Sequence, residues 1–377
     1  MFQQYFNEQV LLIILVVFAT ATLLQLVYFW FFYSRIAFVR NKNVSDQKQP
    51  VSVVVCARNE YENLLTFLPQ ILEQDYPDFE VVVVNDASDD ETIYLLRDYA
   101  KKYTKLKIVD LSESLNVFKG KKFPLSIGIK SAKNEIILLT DADCVPASSE
   151  WINKMQSRYL NSTTEVILGY GGYKVKRGLL NKLIRFDTMR IAMSYLSYAL
   201  SGLPYMGVGR NLSYRKSTFY KNKGFISHYG IPSGDDDLFI NQVANRSNTR
   251  IELSKESFTL SSPKTTWKEW IQQKRRHLST VKYYKFRHKI LLFLYPMSEI
   301  LFYSTFLFLA VLFYQPLWVF PIFASRLISS AIIYKRVMIK LNETKFWLLI
   351  PFFELFFLFF HLFTFLTKSF NRGTYWK

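Results

Sequence analysis

The stretch VSVVVCARNE, residues 51–60, opens the part of the chain that decides its fold. Its first residues form a short β-branched run typical of a buried strand, and FEVVVVN at residues 79–85 repeats the pattern. Between these runs, leucine and isoleucine recur at helical spacing from Leu64 to Leu72. Two further apolar runs, Leu106–Val109 and Glu135–Thr140, predict a third and a fourth strand. Strands that alternate with helices in this way predict an α/β domain with a mostly parallel, doubly wound sheet.

The composition limits the class of protein. The chain has 377 residues, a formal net charge of +18 and an aromatic content of 17%. Half of its residues are hydrophobic, which excludes an intrinsically disordered protein. Only two cysteines are present, which excludes a small secreted domain held together by disulfides. A basic chain suggests nucleic-acid binding, but this much apolar aromatic content is unusual in basic soluble proteins.

Apolar runs with few or no charges lie at both ends of the chain. Val10–Tyr33 contains no charged residue and is long enough to cross a hydrocarbon core of about 30 Å. Because no basic residues precede it and no cleavage site follows it, it is predicted to be a retained anchor. Three more runs are predicted to span the membrane: Ile290–Tyr314, Pro316–Tyr334 and Phe346–Thr367. The predicted organisation is an N-terminal transmembrane anchor (1–40), a cytoplasmic α/β domain (50–265), an amphipathic interfacial helix (266–289) and a C-terminal transmembrane region of about three helices (290–377).

Basic residues beside the apolar runs predict their orientation. Arg35 and Arg40 follow the first run, and Lys285 and Arg287 precede the second, which places the α/β domain in the cytoplasm. The tail 368–377 would then lie outside the cell, and its basic residues agree less well with the rule that basic flanks are cytoplasmic. We therefore expect an integral protein of a bacterial-type inner or cell membrane. Because the positive charge collects beside membrane runs instead of forming one aromatic-laced groove, no nucleic-acid partner is predicted.

Polar residues directly after the predicted strands are candidates for a site, since ligands bind at the carboxyl ends of parallel strands. Asp141 and Asp143 follow the fourth strand, and two such carboxylates can hold one hard divalent cation, Mg²⁺ or Mn²⁺. Such a cation could neutralise a departing diphosphate. Asp86 ends the second strand, where it could bind a nucleotide's base or ribose, or simply cap the next helix. The loop KGKK, residues 119–122, could bind phosphate or lie in solvent.

Two further clusters lie later in the chain. Asp235–Asp237 directly precede an apolar helix, and adjacent carboxylates raise one another's pKa, which suits a general base. Acidic residues also favour a helix N-terminus without any catalytic role. In residues 267–277, WKEWIQQKRRH, an amphipathic face indicates a helix at the membrane surface. The members of that face are Trp267, Trp270, Ile271, Lys274 and Leu278. The functional alternative has Gln273 and Arg276 reaching a bound diphosphate.

In combination, these motifs resemble those of the membrane-bound family-2 glycosyltransferases, which have a GT-A fold. The matching segments are, in chain order, residues 53–60 (VVVCARNE), 85–89 (NDASD), 120–122 (GKK), 141–143 (DAD), 235–238 (DDDL) and 273–277 (QKRRH). The resemblance covers about residues 51–277. No single segment is specific to this family, but the occurrence of all six in this order and spacing is specific.

The resemblance implies roles for individual residues. Asp86 would contact the nucleoside, and Asp141 and Asp143 would serve the metal and the nucleotide. The other implied substrate-binding residues are Glu60, Lys121, Gln273 and Arg276. The catalytic base would be Asp236 if Gly-Asp-Asp is matched and Asp235 if the following Asp-Leu is matched, with a slight preference for Asp236.

The implied reaction is an inverting, metal-assisted transfer from a nucleoside-diphosphate sugar to a lipid-linked or saccharide acceptor, as in the synthesis of cell-envelope polysaccharide. Lys274 and His277 depart from the Gln-(Gln/Arg)-x-Arg-Trp ending of processive members, so addition of one or a few sugars is expected. Two alternatives stay open: a polyprenyl-phosphate sugar synthase, and a non-catalytic membrane scaffold with a nucleotide-sensing domain. Cys144, next to the acidic pair, is expected to be only a small buried side chain.

Overall fold

The computed structural model describes residues 7–40, 44–111 and 120–366, which form two compact units. One, here called the α/β unit, contains the described residues between 40 and 284. The other, here called the helical unit, contains residues 7–39 and 285–366. Lys119 and the basic tail 368–377 lie outside the described residues.

The α/β unit alternates strands and helices, as the sequence pattern predicts. Its strands are β1 (Val51–Ala57), β2 (Phe79–Asp86), β3 (Leu106–Leu111), β4 (Ile136–Asp141), β5 (Cys144–Pro146), β6 (Val166–Leu168), β7 (Gly171–Tyr173), β8 (Leu212–Arg215), β9 (Thr249–Ile251) and β10 (Thr259–Ser261). After α1 and α2 of the helical unit, its helices are α3 (Tyr61–Leu72), α4 (Thr92–Lys102), α5 (Lys122–Ser131), α6 (Trp151–Gln156), α7 (Leu179–Leu200), α8 (Lys216–Lys221), α9 (Asp237–Val243) and α10 (Trp267–Leu278).

Seven strands form the main sheet in the order β3-β2-β1-β4-β8-β6-β9. The first four are parallel, so the predicted mostly parallel sheet is confirmed. β8 is antiparallel to both of its neighbours, and a second, three-stranded sheet has the order β5-β10-β7. These later strands are not predicted from the sequence, because runs of three or four residues show too little alternation to stand out.

The central strands β1 and β2 are buried at every position, which explains their continuous apolar sequence. On one face, Leu64, Leu68 and Ile71 of α3 join the core. Gly128 lets α5 lie close to the sheet, since a Cβ there would come within 2.7 Å of the Val54 side chain.

The loops after β1 and β2 are tied to each other at the carboxyl edge of the sheet. Asn59 and Ala87 both have positive φ, 55° and 48°, and turn the chain sharply after each strand. The Asn59 backbone N–H donates to Ser88 Oγ at 3.0 Å, and the Asn59 side-chain oxygen accepts from the Asp89 N–H at 2.8 Å. These bonds hold the polar residues of both loops at one edge.

Three described helices are long and apolar enough to cross a membrane. The first is continuous over Glu8–Ala37, through α1 (Glu8–Val27), a π-helical segment (Tyr28–Tyr33) and α2 (Ser34–Ala37); the others are α11 (Phe286–Val311) and α12 (Pro316–Lys340). The third predicted C-terminal span is instead a 3₁₀ segment, Thr344–Leu349, followed by the shorter α13, Ile350–Leu366. Phe346 has a non-helical φ of −134° and interrupts the run.

Three charged residues of the helical unit, Glu299, Arg326 and Glu354, meet in its interior. Arg326 of α12 is fully buried and donates to Gln25 Oε1 at 2.6 Å and to Glu354 Oε2 at 2.6 Å. The Glu299 carboxylate lies 3.8 Å from the same guanidinium. These three side chains therefore face other helices, as is usual for ionisable residues within apolar helices.

The predicted interfacial helix differs from its expected form. α10 ends at Leu278, a 3₁₀ turn covers Val281–Tyr283, and residue 286 already begins α11. Trp270 is only 1% exposed, and Lys274 forms a buried ion pair with Asp187 of α7. Two of the five residues of the predicted membrane-facing side, Trp270 and Lys274, are thus packed within the α/β unit, whereas Trp267 and Leu278 are exposed.

Candidate active site

The acidic pair after β4 forms the centre of the site. Oxygen atoms of Asp141 and Asp143 and the Cys144 sulfur lie within 4.8 Å of one another. Cys144 donates to Asp143 Oδ1 at 3.2 Å, and its sulfur lies 2.9 Å from Ser261 Oγ. Burial and the neighbouring Asp141 charge raise the pKa of Asp143. Two converging carboxylates fit a hard divalent cation, whose charge would relieve their repulsion.

Lys121 is the immediate partner of this acidic pair, since its Nζ forms an ion pair with the Asp141 carboxylate. Burial opposes the charged form of Lys121, but the Asp141 and Asp235 carboxylates outweigh it and raise the lysine pKa. Burial likewise disfavours the charged form of Asp141, but the Lys121 charge outweighs burial and lowers the pKa of Asp141. Lys121 therefore brings a positive charge to the end of β4.

Lys122, the next residue, has a different role. Its Nζ donates to the backbone carbonyls of His228, Ile231 and Ser233 at 2.6, 2.8 and 2.8 Å. These bonds use all three ammonium donors, so Lys122 holds the segment before Asp235 in place and has none left for phosphate. Gly120, at φ 144°, permits this approach, because a Cβ there would lie 2.7 Å from the Pro232 oxygen.

Asp86 and Glu60 line the same edge of the sheet. Asp86 is 1% exposed, and its Oδ2 has no hydrogen-bond partner among the described residues. Burial raises its pKa, although Arg58 opposes the shift. A buried carboxylate oxygen without a partner suits a donor group on a ligand. Burial also raises the pKa of Glu60; a bond from Asn63 opposes this, while the charges of Asp143 and Asp141 add to it.

The three consecutive carboxylates at the start of α9, Asp235–Asp237, differ from one another in their hydrogen-bond partners. Asp237 accepts from Thr280 Oγ1 at 2.5 Å and from Tyr284 Oη at 2.6 Å. Asp236 accepts from the backbone N–H groups of Gly209 and Asp237, both at 2.7 Å. No described residue donates a hydrogen bond to the Asp235 carboxylate, whose charge acts on Lys121 and Lys122. Burial and the charges of Asp235 and Asp237 raise the pKa of Asp236 to about 8.

α10 contributes the last predicted residues. Gln273 Nε2 donates to Tyr173 Oη at 3.2 Å. Arg276 is close enough to Asp141 to help lower its pKa, although burial and Lys121 act more strongly on that carboxyl. The α/β unit thus brings together Glu60, Asp141, Asp143, Lys121 and Arg276, while Asp86 lies at the end of β2, which β1 separates from β4.

Three further residues of the site, Arg210, Tyr173 and Ser261, are not predicted from the sequence. The Arg210 guanidinium carbon lies 4.4 Å from the Tyr173 ring centroid, and Nη1 donates to Ser261 Oγ at 3.3 Å. Arg210 lies in a 3₁₀ turn, and Tyr173 and Ser261 end short strands of the second sheet. No motif in the sequence marks these positions.

Residues 52–222 match the family model for glycosyl transferase family 2. This stretch is a family-2 glycosyltransferase domain. The match includes Glu60, Asp86, Lys121, Asp141 and Asp143, and it ends before Asp235–Asp237 and α10.

Individual relatives agree with this assignment of the glycosyltransferase domain. The chain is 28% identical over 158 residues to a poly-β-1,6-N-acetyl-D-glucosamine synthase of Staphylococcus epidermidis, over 41% of this chain and 37% of the relative. It is 34% identical over 100 residues to a β-monoglucosyldiacylglycerol synthase of Trichormus variabilis, over 26% and 21% of the two chains. Both alignments span well under half of the relative's length.

A solved structure supports the fold over a longer stretch of the chain. A mannosyltransferase from Pyrobaculum calidifontis, in complex with GDP-Man and Mn²⁺, matches with a TM-score of 0.58 and 18% sequence identity. The match covers 92% of this chain and 98% of that one. Together with the mostly parallel sheet and the family match, it establishes the GT-A fold.

Proposed function

We propose that the protein transfers a sugar from a nucleoside-diphosphate sugar to a saccharide or lipid acceptor, with inversion at the anomeric carbon. One observation carries the proposal: in a family-2 glycosyltransferase domain, the converging acidic pair Asp141 and Asp143 lies at the carboxyl end of β4. That edge is where parallel α/β sheets bind ligands.

The donor is proposed to lie across the ends of β1, β2 and β4. Asp86 would accept a hydrogen bond from the nucleoside through the Oδ2 atom that lacks a partner among the described residues. Glu60 would bind the donor beside the acidic pair. Asp143 and Asp141 would hold a divalent cation, Mg²⁺ or Mn²⁺, with Lys121 and Arg276 adding positive charge. When bound, the cation supplies charge stabilisation for the departing diphosphate.

Asp236 is proposed as the general base, since its raised pKa suits proton removal near neutral pH and two backbone N–H groups fix its orientation. The acceptor oxygen forms its bond to the anomeric carbon while its proton passes to the Asp236 carboxylate. The bond from that carbon to the phosphate oxygen breaks, and the nucleoside diphosphate leaves with the electron pair. Attack from the opposite face inverts the anomeric centre without a covalent intermediate.

The acceptor class and cellular place are proposed from the relatives and the apolar helices. Those relatives make a polysaccharide and a glycolipid, which supports a saccharide or lipid acceptor and a role in cell-envelope polysaccharide synthesis. We propose an integral membrane protein with a cytoplasmic catalytic domain over residues 50–265, an anchor over 1–40, a connecting helix over 266–289 and a transmembrane region over 290–377. Protease accessibility from each membrane face tests this orientation.

The central test is a screen of nucleotide sugars with the purified full-length protein, membrane lipids and polyprenyl phosphate as acceptors, with and without EDTA. We expect turnover of one donor, loss of activity in EDTA, and recovery with Mg²⁺ or Mn²⁺. Asp143→Asn should reduce transfer by about a hundredfold or more, in the range found when electrostatic stabilisation is removed. Asp98→Asn, a change on the exposed surface of α4, is the matched control and should leave transfer unchanged.

Full activity of Asp143→Asn would contradict the metal assignment. Binding of nucleoside diphosphate without turnover of any sugar would contradict the enzymatic proposal and support a nucleotide-sensing scaffold. Efficient transfer to polyprenyl phosphate alone would identify the acceptor as a lipid phosphate.

A further inference from the structure

Arg210 is held firmly between the two sheets of the α/β unit. Its backbone carbonyl accepts from Thr140 Oγ1 at 3.1 Å and from Thr259 Oγ1 at 2.9 Å. Thr140 directly precedes Asp141 in β4, and Thr259 begins β10 of the second sheet. The position of Arg210 is therefore set by the same strand that presents the acidic pair.

The space for the Arg210 side chain is provided by a glycine. A Cβ at Gly171 would lie 2.6 Å from Arg210 Cγ and 2.7 Å from its Nε. These distances are too short for any larger residue at position 171 unless the Arg210 side chain moves. The guanidinium also packs over Tyr173, whose hydroxyl accepts from Gln273 of α10. Gly171, Tyr173 and Gln273 thus shape one wall of the site around Arg210.

Arg210 adjoins the acidic centre without forming an ion pair with it. Its Nη1 donates to Ser261 Oγ at 3.3 Å, Ser261 Oγ lies 2.9 Å from the Cys144 sulfur, and that sulfur donates to Asp143 Oδ1 at 3.2 Å. Asp141 forms its ion pair with Lys121, and no described carboxylate lies within salt-bridge distance of Arg210. A guanidinium has five N–H donors, and Ser261 and Tyr173 take only part of them. The remaining donors are available to an anion.

We propose that Arg210 binds the diphosphate of the donor, as a cation additional to Lys121 and Arg276. This inference rests on the proposed function, since it names a further residue of that same donor site. A guanidinium matches phosphate geometry and can donate two parallel hydrogen bonds, which a point charge such as lysine cannot do. The contact is assigned to the terminal phosphate, because Arg210 adjoins Asp143 through Ser261 and Cys144, whereas Asp86, proposed to bind the nucleoside, lies at the end of β2.

The test compares binding of nucleoside diphosphates and monophosphates, UDP with UMP and GDP with GMP, to the full-length protein with Mn²⁺ present. Arg210→Gln should weaken diphosphate binding by about tenfold or more, the range for a hydrogen bond to a charged group, and leave monophosphate binding nearly unchanged. Arg210→Lys should restore part of the loss. The matched control is Arg215→Gln in β8, since Arg215 donates to the Thr164 carbonyl instead; it should change neither affinity.

Other results would overturn the inference. Equal loss of diphosphate and monophosphate binding, together with a shifted Mn²⁺ requirement, would mean that Arg210 only tunes the acidic pair. Unchanged diphosphate binding in Arg210→Gln would exclude the contact altogether. If Arg210→Gln fails to fold, Gly171→Ala, which displaces the side chain while keeping its charge, should show the same selective loss. If the unaltered protein binds none of the four nucleotides, the donor proposal itself fails.

Discussion

At the residue scale, Asp236 shows how its surroundings produce a catalytic property. Its carboxyl is buried beside two like charges, Asp235 and Asp237, and these influences raise its pKa to about 8 despite two backbone hydrogen bonds. Asp237 lies in the same cluster but is held by Thr280 and Tyr284. The same residue type therefore serves as proposed base at one position and as a structural acceptor at the next.

This environment predicts the pH dependence of sugar transfer. A general base must be ionised, so kcat/KM should rise with pH and level off above an apparent pKa of about 8. Asp236→Asn should abolish transfer. Asp235→Asn should leave transfer in place but move the midpoint to lower pH, because it removes one of the like charges that raise the pKa of Asp236.

The measurement is a pH–rate profile of each purified variant with saturating metal. Transfer by Asp236→Asn together with inactivity of Asp235→Asn would reverse the assignment and make Asp235 the base. An unshifted midpoint in Asp235→Asn would show that another group controls the profile.

At the element scale, α10 is positioned by a buried contact with α7. Lys274 forms its ion pair with Asp187, and the side-chain exposures of the two are 11% and 4%. Gln273, which donates to Tyr173, directly precedes Lys274, and Arg276, whose charge acts on Asp141, lies two residues after it. Lys274, one of the two residues that depart from the ending of processive members, thus has a structural partner within this chain.

Removing one member of this pair should destabilise the α/β unit. Lys274→Met leaves the Asp187 charge buried without compensation, so the free energy of unfolding should fall by about 3 kcal/mol. The double variant Asp187→Asn with Lys274→Met should recover most of that loss, since no unpaired charge remains. Chemical unfolding of the full-length protein in detergent, followed by intrinsic fluorescence, measures the free energy of unfolding of both variants.

Lys268→Met provides the control, because Lys268 lies on the exposed face of the same helix. It should change stability by less than about 0.5 kcal/mol. An equal effect of Lys268→Met and Lys274→Met, or no recovery in the double variant, would contradict a specific role of the ion pair.

At the scale of the whole molecule, the chain combines an α/β unit with a helical unit that has its own polar centre. Arg326 of α12 joins Gln25 of α1 and Glu354 of α13, with Glu299 of α11 beside it. Helices distant in the sequence are therefore held together by one guanidinium. In an apolar medium such a group persists only where partners compensate its charge.

Arg326→Met should lower the stability of the full-length protein strongly, by about 3 kcal/mol or more, since it leaves the buried Glu354 carboxylate unpaired. Adding Glu354→Gln should restore part of the loss. Lys335→Met on the same helix removes only an exposed contact with Trp347 and should have little effect. Thermal unfolding in one detergent compares the variants, and an Arg326→Met protein as stable as Lys335→Met would contradict this role.

The sequence by itself determined the features that local patterns encode. The β-branched runs predicted β1, β2 and β4 because strands buried on both faces need apolar residues at consecutive positions. Long apolar runs predicted three helices that are long and apolar enough to cross a membrane, whereas the fourth run forms a 3₁₀ segment and a shorter helix. Polar residues after strands predicted the acidic pair, since strand ends converge at one edge. The order of the motifs indicated the family.

The tertiary structure decided what depends on residues far apart in the chain. It separated Lys121, which pairs with Asp141, from Lys122, whose donors are used by backbone carbonyls more than a hundred residues away. It turned Lys274 toward Asp187 and placed Arg210 beside the acidic pair through contacts with two sheets. The physical reason is that partner choice, burial and the direction of a side chain arise only when distant segments pack together, and no local periodicity records them.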